Sequence, residues 1–354
     1  MWNNFTNKQD DQCEMVNETE RAEVYKCGNS FTGKAKPLEK GFHSDIFTIR
    51  DEIKGKNIKK AMNDLGGLKL FIEPNDKVYI KSDFSLVSPA PNPKIIETIA
   101  KEVKKIGAEV SIIDNDTPFR DFSSDLITRS GYYDTLKKHE VPVYSIGGSE
   151  KVTFDVSGTK FKLPKFLFEE NAKLINVASM KHDIISGVSL GERNLLDLVD
   201  KSDLESADTE DLIVKVNKVL SPELTILDGS RVCLSANPVV CEENDADFVL
   251  MSNNAVCADA WGTKLLFYPL DQVEHIQESD RLGIGSKNCN EVKKSKNPLL
   301  VANARWKQLS PSPKMVKSFS DAYNTMKASL GSSKADSVWT DVLIPILNGI
   351  KGDD

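Results

Sequence analysis

What most restricts the fold of this chain is the way its apolar runs end. Leu174 to Ala178 reads as a buried strand, and it gives way at once to Met180-Lys181-His182-Asp183. Gly187 and Gly191 follow, then a helical pattern carried by Leu195, Leu196, Leu198 and Val199. A strand that stops at a Lys-His-Asp cluster and turns into a helix is how an open α/β sheet presents ligand groups. The ending recurs four times. Lys77 to Lys81 closes on Lys81-Ser82-Asp83, and Glu109 to Ile113 on Asp114-Asn115-Asp116. Leu224 to Leu227 closes on Asp228-Gly229, and Phe248 to Met251 on Ser252-Asn253-Asn254.

The segments between these runs supply helices. From Pro93 onward Ile95, Ile96, Ile99, Val103 and Ile106 keep helical spacing up to Gly107, so residues 77–113 form a βαβ unit. Such a unit implies parallel pairing and a right-handed crossover. Further helices are predicted over 58–65, closed by Gly66-Gly67, and over 121–129, 132–138, 209–220 and 271–282. Lys151 to Val156 and Lys160 to Leu163, joined by Ser157-Gly158-Thr159, read as a β-hairpin that breaks the alternation. The expected fold is α/β: a mainly parallel open sheet with βαβ units, a β-hairpin insertion and a helical C-terminal annex. Residues 1–20, polar and without period, are expected to be a disordered tail, and Gly28 to Arg50 a loop. The α/β domain then spans 21–310, and residues 311–354 hold two helices set off by Pro311-Ser312-Pro313.

Hydrophobic residues at 40% and charged residues at 28% suit a soluble globular protein. A formal net charge of -7 argues against a nucleic-acid binder. No apolar run approaches the ~20 residues of a membrane span, so no membrane partner is expected. The cysteines at 13, 27, 233, 241, 257 and 289 form no CxxC pair, so no zinc ribbon and no iron–sulfur cluster is expected. Cys27, Cys233 and Cys257 sit in or beside apolar runs, where reduced buried thiols are the plain expectation. That places the protein in the cytoplasm and makes the Asn-x-Ser/Thr matches at Asn4, Asn17 and Asn115 chance occurrences.

Taken in order, the pieces GGLKLFIEPNDKVYIKSDFSL, IIDND, LINVASMKHDIISGVSLGERNLL, LTILDG, NNAVCADAWGTKLL and RLGIG resemble the domain of unknown function 362 family over roughly residues 22–290. Members of that family usually show Lys-Pro-Asn where this chain has Lys81-Ser82-Asp83. They show Lys-Thr-His in place of Met180-Lys181-His182, and Lys-Asn in place of Arg193-Asn194. Many also carry ferredoxin-like cysteine motifs, which this chain lacks. The resemblance implies a fold more than an activity.

Read for chemistry, Asp114, Asp116 and Asp228 are an oxygen-rich set suited to a divalent cation of the Mg²⁺ kind, although acidic residues after strands are also ordinary turn formers. His182 is the candidate general base or metal ligand, against a structural histidine bonding its own loop. Lys81, Asp83, Lys181, Arg193, Asn194, Asn253 and Asn254 would hold an anion if the strand ends converge; salt bridges to nearby aspartates are the alternative use of the cations. His139 reads as solvated, and His43 and His275 stand in polar surroundings that favour no role. The expectation is a cytosolic enzyme or enzyme-like binder of a small anionic molecule, assisted by a divalent cation. The alternative is a non-catalytic accessory protein docking onto a larger, redox-type assembly; a protein partner or homodimer belongs with it.

Overall fold

A computed structural model of the chain describes residues 13–38, 45–84, 90–114, 131–204, 207–234 and 243–292. The strands are β1 (Cys13–Glu18), β2 (Ala22–Cys27), β3 (Ser30–Ala35), β4 (Ile46–Asp51), β5 (Lys77–Ser82), β6 (Glu109–Asp114) and β7 (Val143–Ser145). They continue as β8 (Lys151–Val156), β9 (Thr159–Pro164), β10 (Ala172–Asp183), β11 (Gly187–Ser189), β12 (Leu224–Cys233), β13 (Glu243–Ser252) and β14 (Asn290–Glu291). The α-helices are α1 (Gly55–Asp64), α2 (Pro93–Ile106), α3 (Tyr132–His139), α4 (Gly191–Leu195), α5 (Lys201–Leu204), α6 (Thr209–Val219), α7 (Ala255–Leu265) and α8 (Glu274–Leu282).

The βαβ unit read from the sequence is present as β5-α2-β6, with β5 and β6 parallel. Helix α2 starts where Asn92 accepts a hydrogen bond from the Lys94 N–H, has Pro93 in its first turn, and stops at Gly107, whose φ of 94° is left-handed. Ile95, Ile96, Ile99, Ala100 and Val103 form its buried face. They pack with α1 against Val78, Ile80, Ile175 and Val177 of the sheet. Each aliphatic side chain so buried contributes about 1.5–3 kcal/mol of transfer free energy. Along β10 the next residues point the other way, and Ala178 and Met180 pack with Val256, Ala260 and Leu265 of α7. A third cluster joins Phe154, Phe161 and Leu163 of the β8–β9 hairpin to Leu195, Leu212 and Ile213.

The mainly parallel sheet expected from the sequence is in fact one of two mixed sheets. In the larger one β12-β10-β5-β6-β7 is parallel, but β13 runs antiparallel to both β12 and β4. The smaller has the order β1-β2-β3-β8-β9 and is antiparallel except where β3 meets β8. Apolar runs reveal strands and not their direction. The run at 248–251 is the end of a ten-residue strand whose polar first half, from Glu243, pairs back along β12 as far as Cys233. The 151–163 hairpin is present, with Ser157 and Gly158 both at positive φ in its turn, and it is an edge of the smaller sheet.

Three further expectations need correction. Cys13–Glu18, placed in the disordered tail, is a strand paired with β2 and tied to it by a Cys13–Cys27 disulfide. Residues 28–50, read as loop, contain β3 and the start of β4. The reduced thiols are disulfides: Cys257 is bonded to Cys289, and Cys233 is also disulfide-bonded. The helices expected over 121–129 and 311–354 fall outside the described residues, as do residues 1–12 and Cys241.

Candidate functional site

Strands β5, β10 and β12 bring Lys81, Lys181 and Asp228 to one edge of the larger sheet. Lys81 lies opposite Asn176 in the β5–β10 register, and its side chain is wholly buried. Its Nζ donates to the Ser82 carbonyl at 2.8 Å and to Asn194 Oδ1 at 3.2 Å, with Asp197 Oδ2 at 3.6 Å. Asn194 donates to Asn176 Oδ1 at 2.7 Å, and Asn176 donates to the Gly191 carbonyl at 2.8 Å. Gly191 has no room for a side chain, because a Cβ there would fall 2.6 Å from Thr225 Cγ2 and 2.9 Å from Asp259 Oδ1. Arg193 shares Asp197 with Lys81, Nη1 to Oδ1 at 3.5 Å, while its Nε is buried with no hydrogen-bond partner.

Lys181 is ion-paired with Asp83, and both are buried. It does not mark the end of its strand, as the sequence suggested: β10 runs on to Asp183, because Lys181, His182 and Asp183 pair with Ser189, Val188 and Gly187 of β11. Asp228 Oδ1 accepts from the Ser230 N–H at 2.8 Å. Its Oδ2 accepts from the Asn92 N–H at 2.6 Å and from Ser230 Oγ at 2.9 Å. Burial pushes its carboxyl up to about 6 despite these donors. Nearby, Tyr132 donates its hydroxyl to the Pro91 carbonyl at 2.6 Å, and burial raises the phenol far above its usual range.

The Asp228 shift has a measurable consequence. A carboxyl raised in the folded state lends stability that is complete below its unfolded value of 3.8 and disappears as pH rises through about 6. In Asp228→Asn this pH dependence is gone, so the variant gains on wild type by about 2 kcal/mol between pH 4.5 and 7.5. Urea midpoints of both proteins at the two pH values check it; a stability difference that stays constant would place the Asp228 carboxyl in an ordinary environment.

The remaining sequence candidates go elsewhere. His182 points to the opposite face of β10 from Lys181. Its Nε2 bonds the Leu266 carbonyl at 2.9 Å at the end of α7, its ring meets Tyr268 edge-on at 5.5 Å, and burial lowers its pKa. The bond is thus to a distant helix end rather than to its own loop, and Nδ1 is buried with no hydrogen-bond partner. Asn253 and Asn254 sit at the far end of the sheet, because antiparallel β13 places Ser252 beside Thr225 and Val249 beside Asp228. There Asn253 Oδ1 accepts from the Ile46 N–H at 2.9 Å, and Asn254 caps α7 by accepting from the Val256 N–H at 2.9 Å. Asp114 ends β6 level with Ser145; its side chain and Asp116 lie outside the described residues.

The sequence reading missed a second polar cluster beyond Gly191. Glu192, Asp259 and His275, all fully buried, place their ligand atoms within 4.8 Å of one another. Burial holds both carboxyls above their ordinary range. Burial alone would lower the imidazole, but the adjacent Glu210 carboxylate, with Glu192 and Asp259, raises it to about 9. One signal was legible: Asp259 is the lone charge in the apolar stretch from Ala255 to Trp261.

The fold and this edge define an α/β protein with a buried, ionisable centre at the ends of its parallel strands. The chain belongs to the family called Domain of unknown function (DUF362), whose profile matches residues 78–264. The matched span holds Lys81, Lys181, Glu192, Asp228 and Asp259 and stops before His275. The thylakoid-associated protein sll1697 of Synechocystis sp. is 19% identical over 266 residues, covering 71% of this chain and 82% of that protein. Nucleolar protein 58 of Dictyostelium discoideum is 25% identical over 139 residues, covering 39% of this chain and 21% of that protein. Among the described residues no helix is long and apolar enough to cross a membrane.

Proposed function

We propose that this chain binds a small molecule through one anionic group at the edge formed by β5, β10 and β12. The observation that carries this reading is Arg193: it shares a single carboxylate, Asp197, with buried Lys81, and its buried Nε has no partner. Lys81 and Arg193 meet at Asp197, and Lys181 is paired with Asp83. A guanidinium offers a planar pair of donors to an anionic group, and ligands of open α/β sheets bind at this edge. The cation-assisted form of the reading would draw on Asp114, Asp116 and Asp228, whose Oδ1 accepts a single hydrogen bond.

Isothermal titration of the full chain with inorganic phosphate and with acetate tests it. One saturable site is expected, with affinity falling at least tenfold in Arg193→Gln while the unfolding free energy from urea denaturation changes by less than about 1 kcal/mol. The absence of saturable binding by either anion, or equal affinity in the variant, refutes it.

A further inference from the structure

From Glu192, Asp259 and His275 we infer a buried site for a divalent transition-metal ion of the zinc class, separate from the strand-end edge. The three come from different helices, α4, α7 and α8, and none is exposed to solvent. The inference rests on how their atoms are already engaged. His275 turns Nδ1 to Glu210 Oε2 at 3.0 Å, while its Nε2 is buried with no hydrogen-bond partner. Glu192 Oε1 accepts from Ser279 Oγ at 2.6 Å, while its Oε2 is likewise buried without a partner. Asp259 Oδ1 and Oδ2 accept from the Gly191 and Glu192 N–H groups at 2.8 and 2.7 Å, and each oxygen keeps a second lone pair.

Buried polar atoms are almost always paired, so two orphans beside a third acceptor need an explanation. A cation touching all three supplies it. The supporting contacts are those of a metal site, where the second imidazole nitrogen is held by a carboxylate and the ligating carboxylates are themselves hydrogen-bonded. A nearby competitor is occupied otherwise: Arg21 gives its guanidinium N–H groups to the carbonyls of Asn217, Leu220 and Ile284.

The donor set selects the ion. One imidazole nitrogen with two carboxylates suits zinc, manganese or ferrous ion, whereas Mg²⁺ and Ca²⁺ prefer oxygen alone. Ligand bonds of about 2.0–2.2 Å put donors at most ~4 Å apart, so the cluster contracts only slightly around an ion. On the side of Glu210 and His275 the cluster borders a surface cleft lined also by Lys215, Glu274 and Glu278.

The test is zinc binding to the full chain, purified without a polyhistidine tag and stripped with chelator. One ion per chain is expected, with X-ray absorption at the zinc edge showing one imidazole nitrogen among oxygen ligands. Glu192→Gln should weaken zinc at least 100-fold. Glu210→Gln, which removes only the support of the imidazole, should weaken it about 10–100-fold. If either variant fails to fold, the absorption spectrum of the wild-type chain decides alone. A sulfur-containing shell, a shell without imidazole, no tight zinc, or undiminished affinity in folded Glu192→Gln overturns the site.

Discussion

Lys181→Met is expected to destabilise the protein by about 3–5 kcal/mol, because it leaves Asp83 charged in a place water does not reach. Both members of the pair are only 3% exposed. Removing one partner of a buried ion pair costs far more than the pair is worth, since the survivor loses that charge and keeps its desolvation cost. Asp83→Leu should cost a similar amount for the mirror-image reason. The double variant Lys181→Met with Asp83→Leu should recover most of the loss, as apolar replacements of buried pairs often do. Urea denaturation of the four proteins gives the coupling energy directly. A single-variant cost under about 1 kcal/mol, the range of exposed pairs, would mean that the edge is wet and Lys181 accessible to ligand.

The same residues show how far the sequence could be read. The strand ends at Lys81 and Asp228 were visible because each follows an unbroken apolar run, and β5 and β12 flank β10. The βαβ unit was legible for the same reason, with Asn92, Pro93 and Gly107 marking the helix ends. Asn253 follows an equally good run but belongs elsewhere. Periodicity carries no sign of direction, and β13 is antiparallel. His182 drew attention as the histidine next to a lysine, yet neighbours on a strand face opposite sides, so one of the pair had to leave the edge. His275 looked unremarkable because its partners Glu192, Asp259 and Glu210 lie 83, 16 and 65 positions away, a proximity that only the packing of α4, α6, α7 and α8 creates. The departures from the family signature at Ser82, Asp83 and Arg193 now have neighbours. Asp83 holds Lys181, and Arg193 divides Asp197 with Lys81 inside the altered motif.

Reduction of the disulfides is expected to bring the fold close to its stability limit. Cys257–Cys289 closes a separation of 32 residues and Cys13–Cys27 one of 14. Cross-links over loops of these lengths stabilise by about 3–4 and about 3 kcal/mol in the chain-entropy account. Together they match a large part of the 5–15 kcal/mol total typical of a domain. The first fastens Cys289, next to β14, to the fully buried Cys257 of α7, so losing it frees the β14–β4 edge. The second fastens the outermost strand of the smaller sheet, so removing residues 13–20 should harm the protein as much as reduction does. Cys13→Ser with Cys27→Ser, and Cys257→Ser with Cys289→Ser, should each lower the thermal midpoint by about 6–12 °C, with dithiothreitol lowering wild type by at least their sum. Disulfides of this kind persist in oxidising compartments, whereas the cytoplasmic expectation rests on reduced thiols. Alkylation of a fresh cell extract without reductant should therefore leave Cys13, Cys27, Cys257 and Cys289 unlabelled. Full labelling of all four, with no effect of dithiothreitol on the midpoint, would return the protein to a reducing compartment and leave these strands held by packing alone.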